Sequence, residues 1–393
     1  MYKDLRFKAK IANQYDLKKE PVVELDASQF YPDGLGGQLG DRGEINAISV
    51  LEVKKSREGK IIHVMETEPE AGIGTEVECR ISGRRRNEIA RQHTAQHLIS
   101  ANFENSYGIH TAGFHMSSGH TTIDLDSTDI DAEMIEQIER DLFEEIIDLI
   151  DVEILEISPD ELHKYPLRKK VSGKLLKLNK LRLVRIGELD YSLCKGFHTD
   201  NTGNIGMIKV YKMEKVKSEY TRIYYVAGLR AMDDYQRNHR ILKETSDFLS
   251  TSPEELQMRL KNLIDENKSV TKTSKKLSES LAKEMYTNLS SRKDETGRRR
   301  IVEVLPSEES AKGLSKEIMK EPDTIAVFLF ERSKNTGFNI VSTHDDINAR
   351  DILNRLNENL SIKGGGSETM ALGTVHGNLD QIKHDVEKVL EEY

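Results

Sequence analysis

A chain of 393 residues exceeds what one hydrophobic core usually supports, so two or three domains are expected. Hydrophobic residues make up 37% and charged residues 32%, a balance suited to a surface-rich protein with extended helices, and no apolar stretch approaches the roughly 20 residues that cross a bilayer. The net charge of −9 argues against coating nucleic acid through bulk charge, and Cys79 and Cys194 as the only cysteines exclude a disulfide framework.

The charged opening MYKDLRFKAK lacks an apolar signal core, so a cytoplasmic location with no membrane partner is expected. Residues 1–85 read as a domain of short strands, a small β-barrel with a sandwich as the alternative: VVEL at 22–25, AISVLEV at 47–53 and KIIHVME at 60–66. Between the first two lies FYPDGLGGQLGDRG, from Phe30 to Gly43, whose glycines let a loop approach a ligand closely; a plain hairpin connection is the alternative. From residue 86 the periodicity turns helical, and EIARQHTAQHLISANFE sets Ile89, His93, His97 and Ala101 at four-residue steps on one face. A second helix, Asp129 to Ile150, carries Ile135, Ile138, Leu142, Ile146 and Leu149 at helical spacing. VEILEI reads as a strand, and SPDEL predicts another helix with Ser158 as N-cap and Glu161 completing a capping box. These alternations make residues 86–232 an α+β domain with its sheet covered on one face.

Residues 233–295 read as a helical spacer. Leu256, Leu263, Val270 and Leu277 recur every seven residues, with Leu260 and Leu281 between them, as in a helical hairpin or short coiled coil. Asn267 and Ser274 interrupt the seam, so a helix packed on its own domain is the alternative. Ser252, Pro253 and Glu255 mark a helix start. Beyond the charged linker SRKDETGRRR, TIAVFLF at 324–330 and FNIVS at 338–342 predict buried strands of a C-terminal α/β domain, 296–393. Its loop KGGGSETMALGTVHG precedes a last helix, and Gly364, Gly365 and Gly366 are candidate nucleic-acid-binding positions, presenting backbone N–H groups to phosphate. The clusters Arg84, Arg85, Arg86, Arg91 and Lys169, Lys170, Lys174, Lys177, Lys180, Arg182 are either a local basic surface or a solvated face.

His93 and His97, four apart on a helix, project from one face and can reach one cation; CKGFH repeats that spacing with Cys194 and His198. Three imidazoles and a thiolate suit tetrahedral zinc far better than magnesium or calcium. A zinc protease helix places glutamate directly after its first histidine, where this chain has Thr94. Four protein ligands also suit a purely structural zinc, because catalytic sites usually keep one position open.

These segments resemble the editing domain of alanyl-tRNA synthetase and its freestanding relatives, the AlaX group, in their long form. RQHTAQHLIS is similar to the family's HxxxH helix, CKGFHTDNTGNIGMIKV to its CxxxH segment, and FYPDGLGGQLGDRG to its glycine-rich loop. GFHMSSGHTTIDLD, TRIYYVAGLRA and the C-terminal GGGSETMALG fit the same pattern. The family commonly has two glycines and a threonine or proline inside CxxxH, whereas this chain has Lys195, Gly196 and Phe197. The resemblance implies a zinc-dependent deacylase acting on alanine tRNA that carries a wrong amino acid, serine or glycine, and a chain that edits without charging. It makes Gln38 and His115 candidate catalytic groups, and Gly36, Gly37 and Thr94 candidate substrate contacts. By the same analogy a homodimer is a candidate assembly. A noncatalytic tRNA-binding protein with structural zinc is the rival; phosphodiester cleavage would rest on His344-Asp345-Asp346 alone, which suits a helix start better.

Overall fold

The computed structural model describes residues 1–216, 219–289, 299–332 and 335–393. The chain divides into two compact units, Met1–Glu244 and Thr245–Tyr393.

In the first unit, β1 (Leu5–Leu17), β2 (Glu20–Leu25), β3 (Gly43–Ile45), β4 (Ile48–Lys55), β5 (Ile61–Met65) and β6 (Glu76–Ile81) close into a barrel in the order β1-β2-β5-β4-β3-β6. The barrel read from the sequence is therefore present, but its longest strand is β1, in the charged opening. Along β1 buried Ala9 and Ile11 alternate with exposed Lys8 and Lys10, the period of a half-buried strand. Ala9, Ile11, Val23, Ile45, Val53, Val77 and Ile81 fill the interior.

The chain then enters α1 (Gly83–Tyr107), capped by the Ser82 side chain accepting from the Arg85 N–H and stopped by Gly108 in the left-handed region. It continues through β7 (Thr111–Met116), β8 (Thr121–Leu125), α2 (Ala132–Ile147), β9 (Val152–Ile157), β10 (Leu181–Ile186), β11 (Asp190–Leu193), β12 (Ile208–Val216) and β13 (Tyr220–Ala227). These strands form two antiparallel sheets, ordered β12-β13-β8-β7 and β11-β10-β9. α2 buries Ile135, Ile138 and Leu142 in a core with Leu98, Ile99 and Phe103 of α1 and Ile123, Ile223 and Tyr225 of the larger sheet. Each such aliphatic side chain contributes about 1.5–3 kcal/mol on full burial, which fixes α1 against the sheet. The helix expected at SPDEL is only a 3₁₀ stretch, Pro159–Lys164, although its Ser158–Glu161 capping box forms. Pro166 disfavours helical backbone at Tyr165, which is extended.

The unit boundary falls near the end of α3 (Leu229–Phe248). The second unit holds α4 (Leu256–Leu289), β14 (Arg299–Leu305), α5 (Glu308–Ile318), β15 (Thr324–Arg332), β16 (Asn335–Ser342), α6 (Ala349–Asn359), β17 (Ile362–Gly366), β18 (Met370–Val375) and α7 (Leu379–Leu390). Of the expected linker SRKDETGRRR, residues 291–298 lie outside the described residues. The sheet runs β14-β15-β16-β18-β17, parallel between β14 and β15 and antiparallel elsewhere. Strand alternation makes it two-sided. Ile325, Val327 and Leu329 pack with α6 and α7, and Ala326, Phe328 and Phe330 with α5 and the end of α4.

The stretch expected as a phosphate-binding loop is instead the hairpin β17–β18. Gly364, Gly365 and Gly366 lie on the sheet's edge strand and not at a helix N-terminus. A Cβ at Gly364 or Gly366 would come within 2.3 Å of the carbonyl oxygen of Leu372 or Met370, so close strand approach accounts for two of the three glycines. His344, Asp345 and Asp346 lead into α6. Among the described residues no helix is long and apolar enough to cross a membrane.

Candidate metal centre

His93 and His97 stand one turn apart on α1, at 2% and 3% exposure. Cys194 and His198, just beyond β11, close on them so that one ligand atom from each of the four lies within 4.8 Å of the others. The four together could hold a metal ion.

Each histidine has its Nδ1 bonded to a side-chain oxygen outside the cluster. His93 Nδ1 donates to Gln38 Oε1 at 2.8 Å, His97 Nδ1 to Asp190 Oδ2 at 2.6 Å, and His198 Nδ1 shares a 3.2 Å bond with Thr94 Oγ1. That leaves every Nε2 for the centre, and the Nε2 atoms of His93 and His198 lie 3.5 and 3.4 Å from Cys194 Sγ. Such outer bonds fix ring orientation and tautomer and raise ligand basicity. Gln38 Oε1 also accepts the Phe197 N–H at 3.0 Å, binding the glycine-rich loop to the CxxxH segment. Within that segment only glycine fits at 196, where a Cβ would lie 2.1 Å from the His93 ring and 2.5 Å from Gln38 Oε1.

The electrostatics favour a metal-ready state. Burial alone would raise the Cys194 thiol, but the His93, His198 and His97 rings outweigh it and hold it well below its ordinary value. Burial pushes the His198 ring down to about 3, keeping it neutral. His97 is also disfavoured by burial as a cation, yet Asp190 and Cys194 lift it to about 9. Burial likewise opposes the Asp190 charge, but His97 and Arg168 draw that carboxyl down to about 2. The proton that Asp190 favours on His97 would compete with a cation there, so metal binding at the cluster would release protons.

A cavity of about 340 Å³ reaches the cluster, lined by Gly36, His93, Gln96, His97, Phe114, Arg168 and Cys194 among others. Phe114 stacks on His93 with ring centroids 5.2 Å apart. Gln38 and Thr94 are buried behind the histidines, where their bonds hold ligands and do not line the cavity. Gly37 packs on Phe114, and its N–H is bonded to the Gly34 carbonyl at 3.2 Å. His115 follows Phe114 on β7, so alternation turns it to the other face, where it is exposed and not brought to the cluster. The arginines before the first histidine are largely engaged: Arg85 donates to the Gly40 carbonyl, Arg86 to buried Asp41, and Arg91 to the Asn204 carbonyl.

Sequence reasoning missed Asp190, Ser192 and Arg168. A signal existed: in a strand leading into Cys194, polar residues at 190 and 192 fall on one face.

The family described as Threonyl and Alanyl tRNA synthetase second additional domain matches residues 181–224, the stretch holding Asp190, Cys194 and His198. The alanyl-tRNA editing protein Aarsd1 of Bos taurus is 33% identical over 263 residues, 66% of this chain and 57% of that protein. The alanine–tRNA ligase of Sulfurisphaera tokodaii is 29% identical over 396 residues, 98% of this chain and 42% of the ligase. Among solved structures, the C-Ala domain from Aquifex aeolicus alanyl-tRNA synthetase is 18% identical, over 24% of this chain and 86% of that domain, with a TM-score of 0.21. The chain thus spans little more than half of the bovine relative and less than half of the ligase. It is AlaX-like, resembling the alanyl-tRNA editing proteins and the matching part of alanyl-tRNA synthetase.

Proposed function

We propose that this protein removes wrong amino acids from alanine tRNA by hydrolysing the seryl or glycyl ester at a zinc ion held by His93, His97, Cys194 and His198. The observation that carries the reading is the four-residue cluster, its imidazoles each braced from outside, at the wall of a cavity that Gly36, Phe114 and Arg168 also line. The donor set of three imidazoles and one thiolate fits zinc. When bound, zinc supplies a Lewis acid that orients a water or holds the aminoacyl group. Gln38, Asp190 and Thr94 keep the three rings aimed inward, while Phe114 and Gly36 shape the space for the acyl group. Editing has a physical rationale, since an alanine pocket cannot exclude glycine, and an apolar site rejects an added hydroxyl by only ~10²-fold.

In this reading residues 1–85 contribute the loop bearing Gln38, 86–232 the ligands, 233–295 a spacer, and 296–393 a tRNA-binding domain whose exposed edge at Gly364–Gly366 meets phosphate. Alanyl, seryl and glycyl esters of alanine tRNA, each with and without chelator, test it. Seryl and glycyl release that stops on chelation and in a folded His97→Ala protein is the expected result. The complete set of four protein ligands favours a second reading, a tRNA-binding protein with structural zinc. Tight tRNA binding without hydrolysis of any ester, in a protein that melts on chelation, would establish that one instead. Light scattering on the eluting protein tests the homodimer.

A further inference from the structure

The Arg168 side chain is 7% exposed and pinned at two of its three nitrogens: Nε donates to Asp190 Oδ1 at 2.7 Å and Nη2 to Ser192 Oγ at 3.2 Å. Its Nη1 is buried and has no hydrogen-bond partner among the described residues, and Arg168 is one of the residues that line the cavity at the metal centre. A buried donor left unmade costs about 1–3 kcal/mol, more when it belongs to a charged group, so a fold rarely keeps one without a use. Asp190 already balances the guanidinium charge. The two N–H groups of Nη1 thus suit a neutral oxygen that gains charge during reaction better than a phosphate, which exposed Lys169 and Lys170 at the same cavity serve better. The Gly37 amide of the glycine-rich loop is occupied by the Gly34 carbonyl, which removes one competing donor for that oxygen.

We propose that Arg168 Nη1 binds the carbonyl oxygen of the aminoacyl ester and stabilises the negative charge it acquires, an assignment that rests on the hydrolase reading above. Water adds through its oxygen to the carbonyl carbon, and the π pair moves onto the oxygen facing Nη1. The C=O bond then re-forms as the bond to the ribose oxygen breaks. One proton of the water ends on that ribose oxygen, and the products are a free amino acid and a tRNA with an unesterified hydroxyl. Because Asp190 joins Arg168 to His97, one carboxylate sets both the substrate donor and a metal ligand in place.

Arg168→Lys keeps a cation beside Asp190 but lacks the second and third nitrogens. The expected result is kcat on seryl-tRNA lower by about 10²–10³-fold, KM raised by up to about tenfold, and zinc content little changed. A readout independent of turnover is calorimetric binding of 3′-serylamino-3′-deoxyadenosine, whose amide carbonyl mimics the ester, against 3′-amino-3′-deoxyadenosine, which lacks it. The variant should show about tenfold weaker affinity for the first and no change for the second. Unchanged kcat, equal weakening for both nucleosides, or loss of zinc would overturn the assignment. Wild-type protein that hydrolyses no ester overturns the hydrolase reading and this one with it, whereas an active wild type beside an equally active variant sinks only the role of Arg168. Should Arg168→Lys fail to fold, Arg168→Gln is read by the same pair of nucleosides, with the same outcomes deciding.

Discussion

Asp190 sits fully buried between a histidine of the metal cluster and an arginine, accepting from His97, Arg168 and the Ser192 hydroxyl. Removing its charge leaves Arg168 a buried cation without a counter-ion, a change that costs about 3–5 kcal/mol, and weakens the orientation of His97. Asp190→Asn is therefore expected to lose metal affinity by about 10–100-fold and to unfold at lower urea, read by competition with a chromophoric chelator and by urea melts. A second buried titratable group, His63, lies inside the barrel, with Nδ1 on the Val23 carbonyl and Nε2 on Ser28 Oγ, both at 2.8 Å. Burial pushes it down to about 4, against 6.5 for an unperturbed ring. The unfolded chain takes up this proton between those values while the folded one resists, so the stabilisation is complete above pH 6.5 and is lost as pH falls toward 4. The difference amounts to ~3 kcal/mol. Urea melts at pH 7.5 and 4.5 should show that His63→Gln loses less stability on acidification than wild type; equal losses would reject this account. At this scale the four ligands were readable because two HxxxH-like spacings are visible in one dimension. Arg168 was not, since only the fold brings it to a residue 22 positions away.

The turn that delivers Gln38 depends on glycine at one step in particular. Gly37 has a φ of +78°, and a Cβ there would meet the Phe114 ring at 2.9 Å, the same ring that stacks on His93. Gly37→Ala is therefore destabilising in two ways, through backbone strain of about 1–3 kcal/mol and through displacement of Phe114. The expected outcome is a lower melting temperature together with a raised KM for the ester, since Phe114 lines the cavity; a variant with wild-type melting and KM would count against it. α2 was legible from its apolar period and α1 from the four-residue steps of Ile89, His93 and His97, although α1 is buried all round from Gln92 to Phe103, and the barrel was legible from its short strands and turns. β1 was hidden because its outward lysines and arginine dominate its composition, and the β17–β18 hairpin because three glycines in a row carry no side-chain alternation. In both, backbone pairing with a neighbour decided the structure, a quantity that local composition does not record.

Every side chain of the proposed chemistry, from Gln38 to His198, belongs to the unit Met1–Glu244. That unit has its own cores, in the barrel and between α1, α2 and the larger sheet, whereas the second is built around β15 and β16 with separate clusters on either face. Since hydrophobic burial supplies most of the folding free energy, a unit whose buried clusters all close within itself should fold alone. A protein ending at Glu244 is expected to unfold cooperatively, to bind one zinc ion, and to hydrolyse a short seryl minihelix at a rate near that of the whole chain. If the second unit binds phosphates of the tRNA, the truncated protein should have weaker affinity for full-length tRNA. The slope of log affinity against log salt should also fall in magnitude by nearly one for each phosphate that the second unit neutralises. Filter binding at several salt concentrations measures that slope. An unchanged slope with unchanged affinity would confine tRNA recognition to the first unit and leave β17 and its glycines to the packing of their own sheet.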